Sequence, residues 1–345
     1  MGSSAASGRP VSGIEAPPPS VRLFTLWVQQ KWADDRVSVK AGLLALDEEQ
    51  FTKTAPGDLF VGATFGYPDG LAANLPAGGP IYPLSAPAVL VEVKPTPVLA
   101  LRTAVFSGDP RGGPGATFPE ESVPTGNVIG LSGGALITAE AVLTPNPKQQ
   151  GVATRFRLGG WYHTCDHFAD QHIASNGLSL ADPASTGVPR DDSGDWAIYA
   201  TAEATLYRVP DTKDQGLAAF ARIATLPADQ NVVSLYADGG LTYKGLLPGR
   251  PDDTAGMAVA YFGISPAAQA LDRDTRHFST DLGYPIRNHE IMLELTYRAQ
   301  ITPWLRAQPD FQYVFSPSGG VPDPINSARS IGNAVIVGLR TSVTF

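Results

Sequence analysis

Apolar and polar residues alternate along most of the chain, from about residue 21 to its end. The final segment shows the pattern most clearly, because every second position from 334 is small or polar. The intervening positions are Val335, Val337, Leu339, Thr341, Val343 and Phe345. A period of two is that of a β-strand with one apolar and one polar face. The chain is therefore predicted to be all-β.

About thirteen such segments can be counted, and many run to roughly 11–15 residues. Strands of soluble proteins average about five or six residues, whereas these could cross a tilted apolar band of ~25 Å. The pattern therefore predicts transmembrane strands. They are expected near residues 21–32, 36–46, 87–94, 97–107, 133–144, 152–164, 194–208, 215–225, 232–244, 254–265, 287–301, 303–316 and 333–345.

The connections between these segments are of two kinds. Those at 94–97 and 301–303 are tight, whereas the long ones are rich in Gly, Pro and Asp and comprise residues 47–86, 108–132, 165–193 and 266–286. Short turns on one side and long loops on the other are typical of bacterial outer-membrane barrels. We predict a transmembrane antiparallel β-barrel of the porin type, located in the bacterial outer membrane.

The domain organisation follows from the same count. Residues 1–20 show no periodicity and are predicted to be a flexible leader, and residues 21–345 to be the barrel domain. Single-chain bacterial barrels have even strand numbers. Because the count here is odd and the start of the chain lacks a secretory signal, we expect N-terminal strands of the barrel to be missing from this sequence.

Composition narrows the function. The formal net charge is -8, with 33 acidic and 25 basic residues, which argues against a nucleic-acid partner because phosphate binding needs a basic face. The 36 glycines and 31 prolines suit many strands joined by turns. The one cysteine, Cys165, excludes an internal disulfide framework.

Several distinctive stretches are spread over the chain. They are FGYP (65–68), AANLPAGGP (72–80), AVFSGDP (104–110), GGWYHT (159–164), YADGGL (236–241), GLLPGRPDD (245–253), ELTYRAQ (294–300) and LRTSVTF (339–345). Together, from about Leu23 to Phe345, they resemble the carbohydrate-selective porins of the OprB family. The resemblance implies a barrel of about sixteen strands that admits mono- or oligosaccharides and has no enzymatic activity and no cofactor. It also implies contact with outer-membrane lipid and lipopolysaccharide and recognition of the terminal Phe345 by the barrel assembly machinery. An oligomer is left open.

The polar strand faces should line the pore, because a pore selects by its width and by the groups along it. Both charge signs occur there, and Trp161, Tyr199, Tyr207 and Tyr236 are predicted to point inward beside them as platforms for sugar rings. The alternative for any one of these residues is ordinary packing within the wall. The candidate substrate-binding residues are Arg102, Glu140, Arg155, Arg157, Trp161, Tyr199, Glu203, Tyr236, Asp238, Glu294, Arg298 and Arg306.

The long connection 47–86 is the candidate constriction loop, since long ordered loops are usually functional. Phe65, Tyr67, Asp69 and Asn74 are its candidate residues. The alternative is an exposed extracellular loop that never enters the pore.

Two further groups look like sites but are interpreted as structural. His163, Cys165, Asp166, His167, Asp170 and His172 are clustered, yet they lack a second cysteine and a HExxH pattern, so neither a metal site nor a catalytic site is predicted. In the 250–253 segment, Arg250 is expected to pair with Asp252 or Asp253 at a turn.

Two other readings of the whole chain remain at this stage. A soluble all-β carbohydrate-binding or glycoside-processing domain would have shorter strands and a buried apolar face. A non-selective or plugged outer-membrane barrel would share all the fold signals, and only its conductance would differ.

Overall fold

The strands form one long antiparallel meander. The computed structural model describes residues 12, 21–73, 75–111, 130–146, 153–165, 167–212, 214–279 and 283–344. Thirteen strands of the described chain form a single sheet in which each strand pairs with its neighbours in the order β1-β2-β3-β4-β5-β6-β9-β10-β11-β12-β13-β14-β15. They are β1 (Leu26–Trp32), β2 (Val37–Leu44), β3 (Ala86–Thr96), β4 (Leu99–Ser107), β5 (Ala135–Leu143), β6 (Thr154–His163), β9 (Asp195–Arg208), β10 (Gly216–Thr225), β11 (Val233–Lys244), β12 (Thr254–Ile264), β13 (His289–Thr302), β14 (Leu305–Phe315) and β15 (Ala334–Val343).

Each of the thirteen predicted segments contains one strand of this sheet, so the strand prediction is confirmed. The predicted final position, Phe345, lies outside the described residues. Strands β1 and β15 are the edges of the sheet, and no hydrogen-bonded ladder joins them within the residues described here.

One face of the sheet is an exposed apolar surface. On β15, for example, Val335, Val337 and Leu339 are 59%, 77% and 69% exposed, and the other strands repeat the pattern at alternate positions. A continuous exposed apolar band cannot be left in water, whereas it matches the outward face of a membrane barrel. Its structure therefore contradicts a soluble domain, whose apolar strand face would be buried.

Tyr207 was predicted to point inward and does not. The pairing of β9 with β10 shifts by one residue between Ala218↔Thr205 and Leu217↔Tyr207, which leaves Leu206 as an extra residue. Such a bulge changes which face the following residues occupy. Tyr207 is consequently 49% exposed on the outer face.

Residues 45–85, which connect β2 to β3, fold back against the opposite face of the sheet; we call them the inner segment. They contain α1 (Ala63–Gly66), α2 (Asp69–Ala72) and two 3-10 turns (Gly57–Leu59 and Pro76–Gly78). Their apolar side chains form one buried cluster with rings and aliphatic groups of the wall. The segment contributes Phe51, Leu59, Phe60, Phe65, Tyr67, Leu71 and Leu75 to this cluster, and the wall contributes Leu136, Trp161, Phe220, Tyr236 and Phe262 among others.

A second structure lies at the end of the sheet where the long connections emerge. It consists of the hairpin β7 (Phe168–Ala174) and β8 (Pro189–Asp192) together with α3 (Pro266–Phe278), and we call it the outer cap. The N-terminus of α3 is capped by Ser265, whose side chain accepts a hydrogen bond from Ala268 N. None of the helices described is long and apolar enough to span a bilayer. Sequence analysis had predicted loops at both places.

Candidate functional site

Glu294 on β13 binds the tip of the inner segment. Its Oε1 accepts a hydrogen bond from Val61 N at 2.7 Å, and its Oε2 accepts one from Gly62 N at 2.9 Å. The carboxylate is fully buried. A side chain at position 62 would not fit, because a Cβ there would lie 2.7 Å from both Glu294 Oε2 and Met292 Cε. Glycine thus allows the backbone to approach the wall closely enough for both bonds.

Two more wall carboxylates repeat this arrangement. Glu140 Oε2 accepts from Thr52 N at 3.2 Å, and it also accepts from the hydroxyl of Tyr199 at 2.9 Å. Glu203 Oε2 accepts from Ala55 N at 2.6 Å. Since a buried backbone N–H without a partner is costly, these carboxylates supply what an irregular segment cannot supply for itself.

Arg222 on β10 does the same for backbone carbonyls. Its Nε donates to Asp238 Oδ1 at 2.9 Å. One terminal nitrogen donates to the carbonyls of Thr64 and Phe65, both at 3.0 Å, and the other donates to the carbonyl of Gly66 at 3.3 Å. The fork of a guanidinium can satisfy several acceptors at once. Arg222 therefore holds α1 against the wall.

Arg102 and Arg157 extend the set along β4 and β6. Arg102 donates to the carbonyl of Glu49, and Arg157 donates to that of Lys53. Both guanidinium groups also lie near Glu140 Oε1, at 3.6 Å and 3.5 Å. Gln308 on β14 completes the series, donating to the carbonyl of Leu59 at 2.7 Å. The inner segment is thus attached through its backbone to strands on both halves of the sheet.

A long antiparallel sheet with an apolar outer face and a segment folded against its charged inner face can be compared with known proteins. The model of the family described as "Carbohydrate-selective porin, OprB family" matches residues 1–345. The chain belongs to the OprB family of carbohydrate-selective porins.

Individual relatives agree with this assignment. Porin B of Pseudomonas aeruginosa is 25% identical over 340 residues, which cover 94% of this chain and 68% of that protein. The high-pH structure of Pseudomonas putida OprB superposes with a TM-score of 0.81 at 23% identity, covering 99% of this chain and 77% of that one. The low-pH structure of the same protein gives a TM-score of 0.51 at 17% identity, with coverages of 94% and 67%. Both solved structures support the fold.

Membership of this family makes the protein an outer-membrane carbohydrate porin, which is a channel rather than an enzyme. Within this OprB-family sheet, the twelve candidate lining residues fall into two groups. Eight are buried: Glu140, Arg157, Trp161, Tyr199, Glu203, Tyr236, Asp238 and Glu294. The other four are arginines that are half-buried or exposed: Arg102, Arg155, Arg298 and Arg306.

The three buried rings do not form the expected platform for sugars. Trp161, Tyr199 and Tyr236 are 4%, 3% and 0% exposed and pack in the core beneath the inner segment. The hydroxyl of Tyr236 bonds Asp238 Oδ2 at 2.7 Å, so this ring belongs to the Arg222 anchor. The aromatic lining predicted from alternation had the correct face, but the inner segment covers it.

Open space adjoins the remaining candidates at the end of the sheet where the short turns lie. A cavity of about 700 Å³ is lined by Ala55 and Pro56 of the inner segment and by Arg155, Glu203 and three threonines, Thr154, Thr205 and Thr242. A second cavity of about 440 Å³ is lined by Arg298, Arg306, Gln300, Thr254 and Lys244.

The candidate constriction residues have different positions. Phe65 and Tyr67 are buried, at 1% and 5% exposed, in the contact between the inner segment and the wall. Asp69 begins α2, and its side chain is outside the description. Asn74 lies outside the described residues.

The histidine cluster is dispersed into structural contacts. His163 is fully buried; one ring nitrogen bonds the carbonyl of Gly108 at 2.9 Å, and Nδ1 accepts from Cys165 N. His172 bonds Asp274 of α3 at 2.6 Å. No group of three or more potential metal ligands occurs among the residues that the structure describes, and Asp166 is not among those residues.

The turn at 250–253 forms as expected. Arg250 Nε lies 2.7 Å from Asp253 Oδ2, and the hydroxyl of Tyr297 and the backbone N–H of Gln300 also donate to the Asp253 carboxylate. Burial alone would raise the pKa of Asp253, but these hydrogen bonds outweigh it and lower the pKa below its usual value of 3.8.

Proposed function

We propose that the inner segment sets the width of the pore and that sugars are held beside it by the ion pair of Arg155 and Glu203. Arg155 lies 2.8 Å from Glu203 Oε1, and its side chain is 40% exposed, so it can reach a solute. The other oxygen of Glu203 binds Ala55 N of the inner segment. One carboxylate thereby connects the segment to the cavity of about 700 Å³.

The chemistry of this cavity suits neutral mono- and oligosaccharides. A guanidinium donates, a carboxylate accepts, and threonine hydroxyls do both, which matches the donors and acceptors of sugar hydroxyls. A balanced ion pair adds little net charge, so it need not select ions by sign. The single observation that carries the proposal is that this paired, partly exposed charge lines open space directly beneath the inner segment.

Planar-bilayer conductance of the full chain tests the proposal. Glucose and maltooligosaccharides should reduce the ion current in a concentration-dependent way, and Arg155→Ala should weaken that block by about tenfold, the cost of roughly one charged hydrogen bond. Arg190→Ala in the outer cap is the control and should leave the block unchanged. Conductance that ignores all sugars would reduce the protein to a general pore, and absence of conductance would indicate a plugged barrel.

We also propose that the apolar outer face contacts outer-membrane lipid and lipopolysaccharide, that the barrel assembly machinery inserts the chain, and that the protein does no bond chemistry. Trp27, Trp196 and Trp304 are 46%, 39% and 54% exposed, in keeping with the aromatic girdles of such barrels. Brominated lipid should quench their fluorescence. Trp161→Phe should leave that quenching intact, because the Trp161 ring is buried; loss of quenching in this variant would contradict the lipid contact. The oligomeric state stays open.

A further inference from the structure

Arg298 and Arg306 are neighbours on the inner face of β13 and β14. Arg306 is directly opposite Gln300, which is two residues beyond Arg298 on the adjacent strand. Arg298 shares its face with Glu294, which binds the inner segment. Both arginines line the cavity of about 440 Å³ at the end of the sheet with the short turns. Two cationic side chains are thus brought to one cavity.

These two arginines differ from the other arginines of the inner wall in their pairing. Arg102, Arg155, Arg157 and Arg222 each have a wall carboxylate within ion-pairing distance. Neither Arg298 nor Arg306 has one in the part of the chain that the structure describes. Arg306 Nε donates instead to the neutral Oε1 of Gln300 at 2.8 Å.

The nearby acidic residues are already engaged. Asp252 lines the same cavity, but its Oδ1 lies 3.7 Å from Lys244 Nζ. That lysine also pairs with Asp214 at 2.5 Å. Asp58 of the inner segment pairs with Lys53 at 3.6 Å. Positive charge therefore remains uncompensated at Arg298 and Arg306, although the chain as a whole is acidic.

The rest of the cavity lining offers groups for hydroxyls. Gln300, Thr254 and Thr302 are neutral donors and acceptors beside the two guanidinium groups. A guanidinium binds a carboxylate through two parallel hydrogen bonds, and the volume is within the range of small-molecule sites. The ligand that fits this combination has one carboxylate and several hydroxyls.

We propose that Arg298 and Arg306 form a subsite for sugar acids, such as aldonates and uronates, at the short-turn mouth of the pore. The subsite rests on the proposed sugar-conducting function, but it is separate from the Arg155–Glu203 pair. It gives the pore a local preference for anionic sugars that the balanced pair does not provide.

The test measures block of the ion current by sodium gluconate, sodium glucuronate, sodium acetate and glucose on the full chain in planar bilayers. In the unmodified protein, gluconate and glucuronate should block at about tenfold lower concentration than glucose, as expected for one added charge-assisted contact. Acetate should be weaker than either sugar acid because it has no hydroxyls. Acetate as effective as gluconate would overturn the sugar-acid assignment in favour of a plain anion site.

Three variants complete the design. Arg298→Gln and Arg306→Gln should each remove most of the advantage of gluconate over glucose while leaving the block by glucose in place. Arg36→Gln, at an exposed turn of the same end, is the matched control and should change neither. Arg298→Lys keeps the charge but not the fork, so it should weaken block by gluconate and keep the reversal potential in a KCl gradient.

The outcomes separate this proposal from the function on which it rests. Unchanged preference for gluconate in both glutamine variants would overturn the subsite, even if glucose still blocks. Absence of block by glucose alone would count against the Arg155–Glu203 pair, whereas the reversal potential of the arginine variants would still report the local positive charge. A variant that does not fold would show no channels, and Arg298→Lys then carries the comparison.

Discussion

The inner segment and the outer cap are both built from long connections at the same end of the sheet, yet they are held in different ways. The inner segment is attached through its backbone, whose N–H and C=O groups meet buried wall residues such as Glu294 and Arg222. The outer cap is attached through pairs of side chains: His172 with Asp274 at 2.6 Å, Arg190 with Asp170 at 2.7 Å and Arg287 with Asp272 at 2.8 Å.

The difference follows from access to water. Irregular backbone at the depth of a membrane needs protein partners for its polar groups. The mixed charges of the wall provide them, so most of the charge inside this pore serves the inner segment rather than the solute. The cap lies outside the membrane, where water can satisfy the backbone and ion pairs between partly exposed side chains contribute little.

Glu294→Gln should have the largest effect on this contrast. The amide presents an N–H₂ group where the carboxylate accepted two backbone hydrogen bonds, so at least one buried N–H loses its partner. The cost is about 1–3 kcal/mol. We expect the inner segment to loosen, which single-channel recording should show as larger and noisier conductance.

The matched control is Asp35→Asn, at an exposed carboxylate 64% accessible in the turn after β1, which should behave like the unmodified protein. Conductance and noise unchanged in Glu294→Gln would mean that the wall carboxylates are not what holds the segment.

Gly62→Ala should act in the same direction but less strongly. The added methyl group would lie 2.7 Å from Glu294 Oε2 and from Met292 Cε, and overpacking of this kind costs about 1–3 kcal/mol, part of which the flexible end of the methionine can relieve. Heat denaturation in detergent and single-channel conductance are the measurements. Gly66→Ala is a close control, because a Cβ at position 66 meets nothing within 4 Å. Equal effects of the two variants would argue against a close contact at Gly62.

The strands and their faces were predictable because a period of two is a property of local sequence. A bulge at Leu206 is enough to defeat it, since one extra residue in β9 reverses the face of Tyr207. Helix α3 had a recognisable signal in Ser265 followed by Pro266, an N-cap and a first-turn proline, which lay unnoticed in a segment predicted to be a loop.

The path of the inner segment could not be predicted. Its partners are more than 80 residues away along the chain in the case of Thr52 and Glu140, and more than 230 in the case of Val61 and Glu294. Side-chain alternation gave the correct inward face for Glu140 and Glu294, but it cannot tell whether an inward carboxylate meets water, sugar or a backbone N–H. That choice depends on where an aperiodic segment is laid, which no local pattern encodes.

Acidification should produce the smallest effect, and it should be confined to the outer cap. Burial raises the pKa of Asp274, but hydrogen bonds from His172 and Ser179 outweigh this and lower it below its usual value of 3.8. A carboxyl whose pKa is depressed by folding stabilises the folded state above its unfolded pKa and loses that contribution as the pH falls through its folded pKa. Docking of α3 on the hairpin should therefore weaken below about pH 3.8 and not between pH 7 and 5 on account of this group.

Hydrogen–deuterium exchange of residues 266–278, corrected for the intrinsic pH dependence of exchange, measures this directly. Asp274→Asn should remove the step below pH 3.8 while leaving single-channel conductance at neutral pH unchanged, because the cap does not anchor the inner segment through this residue. Asp182→Asn, at an aspartate elsewhere in the connection between β7 and β8, is the control and should retain the step. If Asp274→Asn instead altered conductance as strongly as Glu294→Gln, the distinction between a backbone-anchored inner segment and a side-chain-anchored cap would fail.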